Sequence, residues 1–129
     1  MRSRIRAEYP ETVMLFYVDD EKQRAVSDVM EKLSVRVIVP EREKYGCTVG
    51  YLAGFAGFSD SRSDENGREG ELMIFAEISS KRLDTILAAL RKSGISIRFK
   101  AVVTAANRSF TIPELMEHMY AEEASLKEK

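Results

Sequence analysis

Tryptophan is absent, and cysteine, histidine and proline are scarce: one Cys, one His and three Pro in 129 residues. A single thiol, Cys47, cannot close an internal disulfide, which fits a reducing compartment. A single imidazole, His118, has no cysteine or carboxylate at ligand spacing to make a zinc site, and no oriented partner for a Ser-His-acid set. Neither sign of charge is in excess: 20 basic against 21 acidic residues leave a net charge of −1. A nucleic-acid surface normally needs a basic surplus to displace phosphate counterions. Only a local patch such as Arg2, Arg4 and Arg6 could serve, and its binding would fall steeply with salt. No apolar run of about 18 residues exists to span a bilayer. Met1-Arg2-Ser3-Arg4-Ile5-Arg6 has the basic start of an export leader without the apolar stretch that should follow. The expected setting is the cytoplasm, with no membrane contact, no cofactor and no metal.

What is present reads as one α/β domain spanning 1–129. Apolar residues make up 44% and charged residues 32%, a globular balance, and a chain of this length buries roughly two-thirds of its unfolded surface. Residues 13–18 (VMLFYV) form a continuous apolar run with the β-branched and aromatic content of a buried strand. Asp19, Asp20 and Glu21 supply an N-cap and first-turn acids. Ala25, Val26, Val29, Met30 and Leu33 then fall on one helical face. Val35, Val37 and Val39 alternate as a half-buried strand that Pro40 ends. The design repeats from Leu72: a buried strand over 72–76 (LMIFA), a cap at Ser79 or Ser80, a stripe of Leu83, Ile86, Leu87 and Leu90, and a stop at Gly94. A long strand from Ile95 to Val103 follows. Thr111-Ile112-Pro113-Glu114 has capping-box spacing, and Ile112, Leu115, Met116, Met119 and Tyr120 line a final helix. The charged tail, 122–129, is expected to fray.

The two halves share a pattern, a weak internal duplication of two βαβ-like units plus a C-terminal helix. A four-stranded ferredoxin-like sheet is favoured, with the first and third strands central, helices on one face, and the final helix or a partner subunit on the other. The alternative is a small doubly wound parallel sheet.

Residues 41–71 form an insert longer than ordinary connections. Residues 59–70 (SDSRSDENGREG) read as a flexible polar loop. Asp64, Asn66 and Gly67 resemble part of a calcium loop, but Arg62 and Met73 stand where the first and closing ligands belong, so that reading fails. Residues 45–58 (YGCTVGYLAGFAGF) hold four of the seven glycines and four of the eleven aromatics, so this segment stands apart. Gly46, Gly50 and Gly54 recur at four-residue spacing, which on a helix would let another backbone approach closely; otherwise the glycines would let the chain wrap a ligand. The segment is either a short packed helix and turn or a binding surface made by Tyr45, Gly46, Gly50, Tyr51, Gly54 and Phe55. No phosphate-loop motif is present. Asp19 after the first strand, and Thr104 and Asn107 after the last, stand where α/β folds place functional polar groups; they also suit a helix cap and a turn.

Four stretches together resemble a known group: Asp19-Asp20-Glu21-Lys22; Tyr45 to Gly54 with Gly57-Phe58; Leu90-Arg91-Lys92-Ser93-Gly94-Ile95; and Lys100 to Asn107. Over 13–123 the chain resembles a bacterial family of small uncharacterised proteins, a domain of unknown function. It has Thr104-Ala105-Ala106-Asn107 where that family usually has a Thr-Pro-Thr-Asn turn, and Phe110 where a tryptophan is typical. The resemblance implies bacterial origin and a cytoplasmic setting, and brings no activity, substrate or cofactor.

Two functions are expected. The first is a non-enzymatic interaction module acting by self-association or on a protein partner, for which Gly50→Glu would leave the fold intact and break the assembly. The second is a small-ligand sensor or weak enzyme, with a pocket between the insert and the ends of the first and last strands, supplied by Asp19, Thr104 and Asn107.

Overall fold

Two five-residue strands with every residue buried, Thr12–Phe16 (β1) and Leu72–Ala76 (β3), sit side by side at the centre of the sheet, and all their residues but Thr12 are apolar. The computed structural model describes residues 10–127. Around the central pair stand α1 (Asp20–Lys32), β2 (Arg36–Ile38), a 3-10 turn (Arg42–Gly46), α2 (Val49–Ala53), α3 (Ser80–Lys92), β4 (Phe99–Val102) and α4 (Ile112–Lys127). The strand order is β2-β1-β3-β4. Each edge strand runs parallel to its neighbour, and β1 and β3 are antiparallel.

Alternation along the central strands feeds two cores. Val13, Leu15, Met73 and Phe75 meet Val26 and Met30 of α1 and Ile86 and Leu90 of α3 on one face. Met14, Phe16, Leu72 and Ile74 meet Tyr45, Val49, Leu115 and Met116 on the other. A strand covered on both sides needs apolar residues at every position, which is why the two central runs are continuous.

The pattern duplication is a structural one with a constant interval of 60 residues. Thr12–Phe16 corresponds to Leu72–Ala76 and Asp20–Lys32 to Ser80–Lys92. Asp19 and Ser79 cap the two helices by accepting from the N–H of Lys22 and Arg82. Ser34 and Gly94 both take positive φ after them. The antiparallel register pairs Met14 with Ile74, so an approximate two-fold axis passes between these counterparts. Two equivalent braces cross the axis. Arg82 holds Glu11 with a shortest contact of 2.6 Å, and Lys22 holds Glu71 at 2.7 Å. The same guanidinium donates to the Leu33 carbonyl and the same ammonium to the Ser96 carbonyl.

The mixed sheet, the central β1 and β3 and the shared face for α1 and α3 agree with the ferredoxin-like expectation. The strand order refines it, because each βαβ unit is closed, with β2 and β4 beside their own first strands rather than split apart. The fully parallel alternative does not hold, since β1 and β3 are antiparallel; its covered second face does, through the insert and α4. The expected long fourth strand shrinks to Phe99–Val102. Phe99 donates to the carbonyl of Glu71, just ahead of β3, so residues 95–98 have no β3 backbone alongside them, and Ile97 turns into the α1–α3 core instead. α4 extends through the charged tail to Lys127, with Glu123 bonded to Arg98. The capping box forms, with Thr111 N–H on Glu114 Oε1 at 2.8 Å.

Candidate functional site

The glycine-aromatic insert packs as a strap across the sheet face that α4 also covers. Tyr45, Val49 and Ala53 enter the core. Tyr45 stands edge-on to Phe16, and its hydroxyl oxygen accepts from the N–H of Tyr17 at 3.0 Å. That bond holds the end of β1 where Tyr17 takes φ +59°. Arg42 lies over both tyrosine rings at 5.2 Å. Burial pushes both phenols above their usual range, so neither ionises near neutral pH.

Gly46, Gly50 and Gly54 do not share one helix, since Gly46 lies in the 3-10 turn and Gly54 caps α2, but Gly46 and Gly50 each allow a close backbone approach. The N–H of Gly50 donates to the Arg108 carbonyl at 2.7 Å, and the carbonyl of Gly46 accepts from Ser63 at 2.9 Å. A Cβ at Gly46 would fall 2.1 Å from the Ser63 oxygen. Gly54 ends α2 in the left-handed region. Gly50 is therefore a buried packing position, not a surface on which Gly50→Glu could leave the fold intact. Tyr51 and Phe55 are half-buried. Tyr51 lines a shallow hollow with Ile38 and Pro40 at the β2 edge, and Phe55 lies under the Arg108 guanidinium at 4.7 Å. The 59–70 loop is anchored, through Ser63 to Gly46, through Glu65 to Arg42 and through the Glu69 carbonyl to the Tyr120 hydroxyl.

The pocket expected between Asp19, Thr104 and Asn107 does not form. Phe16 pairs with Leu72 at one end of β3, whereas Val102 pairs with Phe75 at the other. Because β1 and β4 run in opposite directions, their C-terminal ends lie at opposite ends of the sheet. Asp19 is the α1 cap. Thr104 and Asn107 close a turn on each other, with Thr104 N–H on Asn107 Oδ1 at 2.8 Å and Asn107 N–H on Thr104 Oγ1 at 3.1 Å.

Cys47 is fully buried, and its thiol is pushed up first by burial and then by its hydrogen bond to Asp60, which disfavours the nucleophilic thiolate. His118 stacks flat on Phe110 at 4.6 Å. Among the described residues no group of three metal-ligating side chains converges, and no helix is long and apolar enough to cross a membrane. Arg2, Arg4 and Arg6 lie outside the described residues.

A different surface has the geometry of a site. β4 is an edge strand. Phe99 and Val103 donate inward to the carbonyl groups of Glu71 and Phe75 at 3.0 Å, so by strand alternation the backbone of Lys100 and Val102 turns outward. The outward carbonyl of Val102 already accepts from the Asn107 side chain at 3.0 Å, which caps the edge at its far end. The N–H of Val102 and both backbone groups of Lys100 face the open side. Apolar hollows flank this edge on both faces of the sheet. Toward α3 lies one of about 180 Å³ lined by Leu87, Leu90, Ile95 and Ile97 with Arg91 and Lys100. Toward α4 lies an open trough of about 330 Å³ whose lining includes Val102, Phe110, Leu115 and Met119. It continues past Met119 to Leu126. Val102 and Leu126 are large apolar side chains left exposed, at 42% and 71%. The opposite edge is blunted: β2 has three residues, an exposed Arg36, and Pro40 soon after it.

The β4 edge was missed in the sequence because edge status depends on strand order. Its signal was the alternation of Lys100, Val102 and Thr104 along one side of the run.

Residues 71–126 match the model of a family described as a domain of unknown function (DUF3783). This agrees with the resemblance to an uncharacterised family. The matched segment spans β3 to α4, and so holds the β4 edge with both hollows, and it excludes the insert. No curated protein and no solved structure matches the chain.

Proposed function

We propose that the protein is a cytoplasmic, non-enzymatic interaction module that accepts an extended segment of a partner protein as a fifth strand on β4. The observation that carries this reading is the pairing of an open strand edge with apolar hollows on both faces of it. An added strand offers its backbone to the edge and sends alternate side chains to opposite faces. Lys100 and Val102 have three outward backbone groups for the first task, and the α3 and α4 hollows take the side chains. Asn107 limits the contact to a short segment.

A small-molecule site is less well supported, because the α3 hollow is well below the 300–1,000 Å³ usual for such ligands, and the α4 trough is open along its length. The test uses a displayed library of random heptapeptides against the wild-type chain and Val102→Pro. Proline at 102 removes an outward N–H and no bond to β3, a substitution that edge strands tolerate. The expected result is enrichment of extended, alternating peptides on the wild type and none on a variant with unchanged circular dichroism. Failure to enrich, or the same peptides from both proteins, would overturn the reading.

A further inference from the structure

We infer that the strand received by β4 carries a carboxylate on its α3-facing side, so that the partner is an acidic extended polypeptide segment; the inference rests on the strand-addition reading. It starts from the one place where the two βαβ units stop matching. Val35 and Ile95 are counterparts, each donating to the carbonyl of a helix residue, Met30 or Leu90, at 2.9 Å. The edge strands then fall out of step. Arg36 donates to the Glu11 carbonyl in the first unit, but in the second it is Phe99 that donates to the Glu71 carbonyl. The second unit therefore spends three more residues before its edge strand begins. The α3 hollow lies there, walled by Ile95 and Ile97 from the lagging stretch.

The charge of this hollow has one sign. Its polar lining consists of Arg91 and Lys100, with no acid. Three other cations of the fold are matched, Arg82 by Glu11, Lys22 by Glu71 and Arg98 by Glu123. Among the described residues Arg91 and Lys100 take part in no ion pair; the Lys100 ammonium donates only to the Ile97 carbonyl, at 2.9 Å. An apolar floor with two uncompensated cations at its rim complements a side chain that is apolar along its stem and anionic at its tip. The α4 trough differs, since Glu122 and His118 stand there beside Lys100 and no single sign prevails. The preference for acid thus applies to alternate positions of the added strand. Charge at such a rim sets partner choice more than total affinity.

The heptapeptide library is selected in parallel on the wild type, on Arg91→Glu and on Arg91→Glu with Lys100→Glu, each checked for unchanged circular dichroism and urea midpoint. Wild-type selection is expected to enrich Asp or Glu at alternate positions, and the double variant to move the preference toward Lys or Arg by about tenfold or more, with the single variant between them. Enriched peptides without acidic bias, or a bias unmoved by charge reversal, would overturn this inference while leaving strand addition standing. Absence of any enrichment would overturn both.

Discussion

Replacing Gly50 with alanine should destabilise the protein, although alanine is the better helix former. Gly50 lies inside α2, and a Cβ there would stand 2.7 Å from two ring carbons of Phe58 and 2.9 Å from the Arg108 carbonyl oxygen. The half-buried Phe58 ring can rotate away. The carbonyl cannot, because it accepts the Gly50 N–H that ties the 104–110 turn to the insert. Helix propensity favours alanine by about 1 kcal/mol. Overpacking against backbone costs about 1–3 kcal/mol, and a stretched hydrogen bond about 1 kcal/mol more. The net expectation is a loss of about 1–3 kcal/mol, or a Tm lowered by about 3–15 °C in a domain of this size. Urea unfolding should give a lower midpoint with an unchanged slope. By the same geometry Gly50→Glu should fail to fold. A Gly50→Ala protein as stable as the wild type would refute the packing argument and return Gly50 to the candidate surface residues.

Tyr45→Phe should cost about 1–2 kcal/mol, because it removes the hydroxyl that accepts from the part-buried Tyr17 N–H while leaving the ring contacts in place; urea denaturation at neutral pH measures this, and an unchanged midpoint would count against the strap's role. Acid should weaken the Glu11–Arg82 brace. Arg82 hydrogen bonds hold the Glu11 carboxyl below its ordinary value of 4.5, so the stability it contributes is complete above that value and is lost as pH falls through the lowered one. Glu11→Gln should therefore be less stable than wild type at pH 7, with a gap that closes between pH 4.5 and the acid limit of folding. Parallel pH profiles of the two proteins would contradict the brace.

The central elements were legible because burial on both faces leaves a plain record: 13–18 and 72–76 are continuous apolar runs, and the helix stripes and caps fall where Asp19, Ser79 and Thr111 signal them. The two-unit pattern was visible too, though not its 60-residue constancy or its two-fold axis. Strand order was not legible, and much of the site depends on it. Asp19 and Thr104 look equivalent in sequence, each following a strand, yet the antiparallel pairing of β1 with β3 sends them to opposite ends of the sheet. Gly46 and Gly50 announced a close approach without naming its partners, Ser63 and Arg108, which lie far along the chain. Lys100 and Val102 read as the wetter side of a strand, and became an edge only when β4 was found to be last in the sheet.

Residue-resolved hydrogen exchange across β4, in the free protein and with a library-selected peptide, tests strand addition most directly. In the free protein the amides of Phe99 and Val103 should be protected by their bonds to Glu71 and Phe75, while those of Lys100 and Val102 exchange rapidly. Peptide binding should slow Lys100 and Val102 strongly and leave the other two little changed. Protection of Lys100 and Val102 in the free chain, or a bound peptide that leaves both amides exchanging as before, would contradict the account.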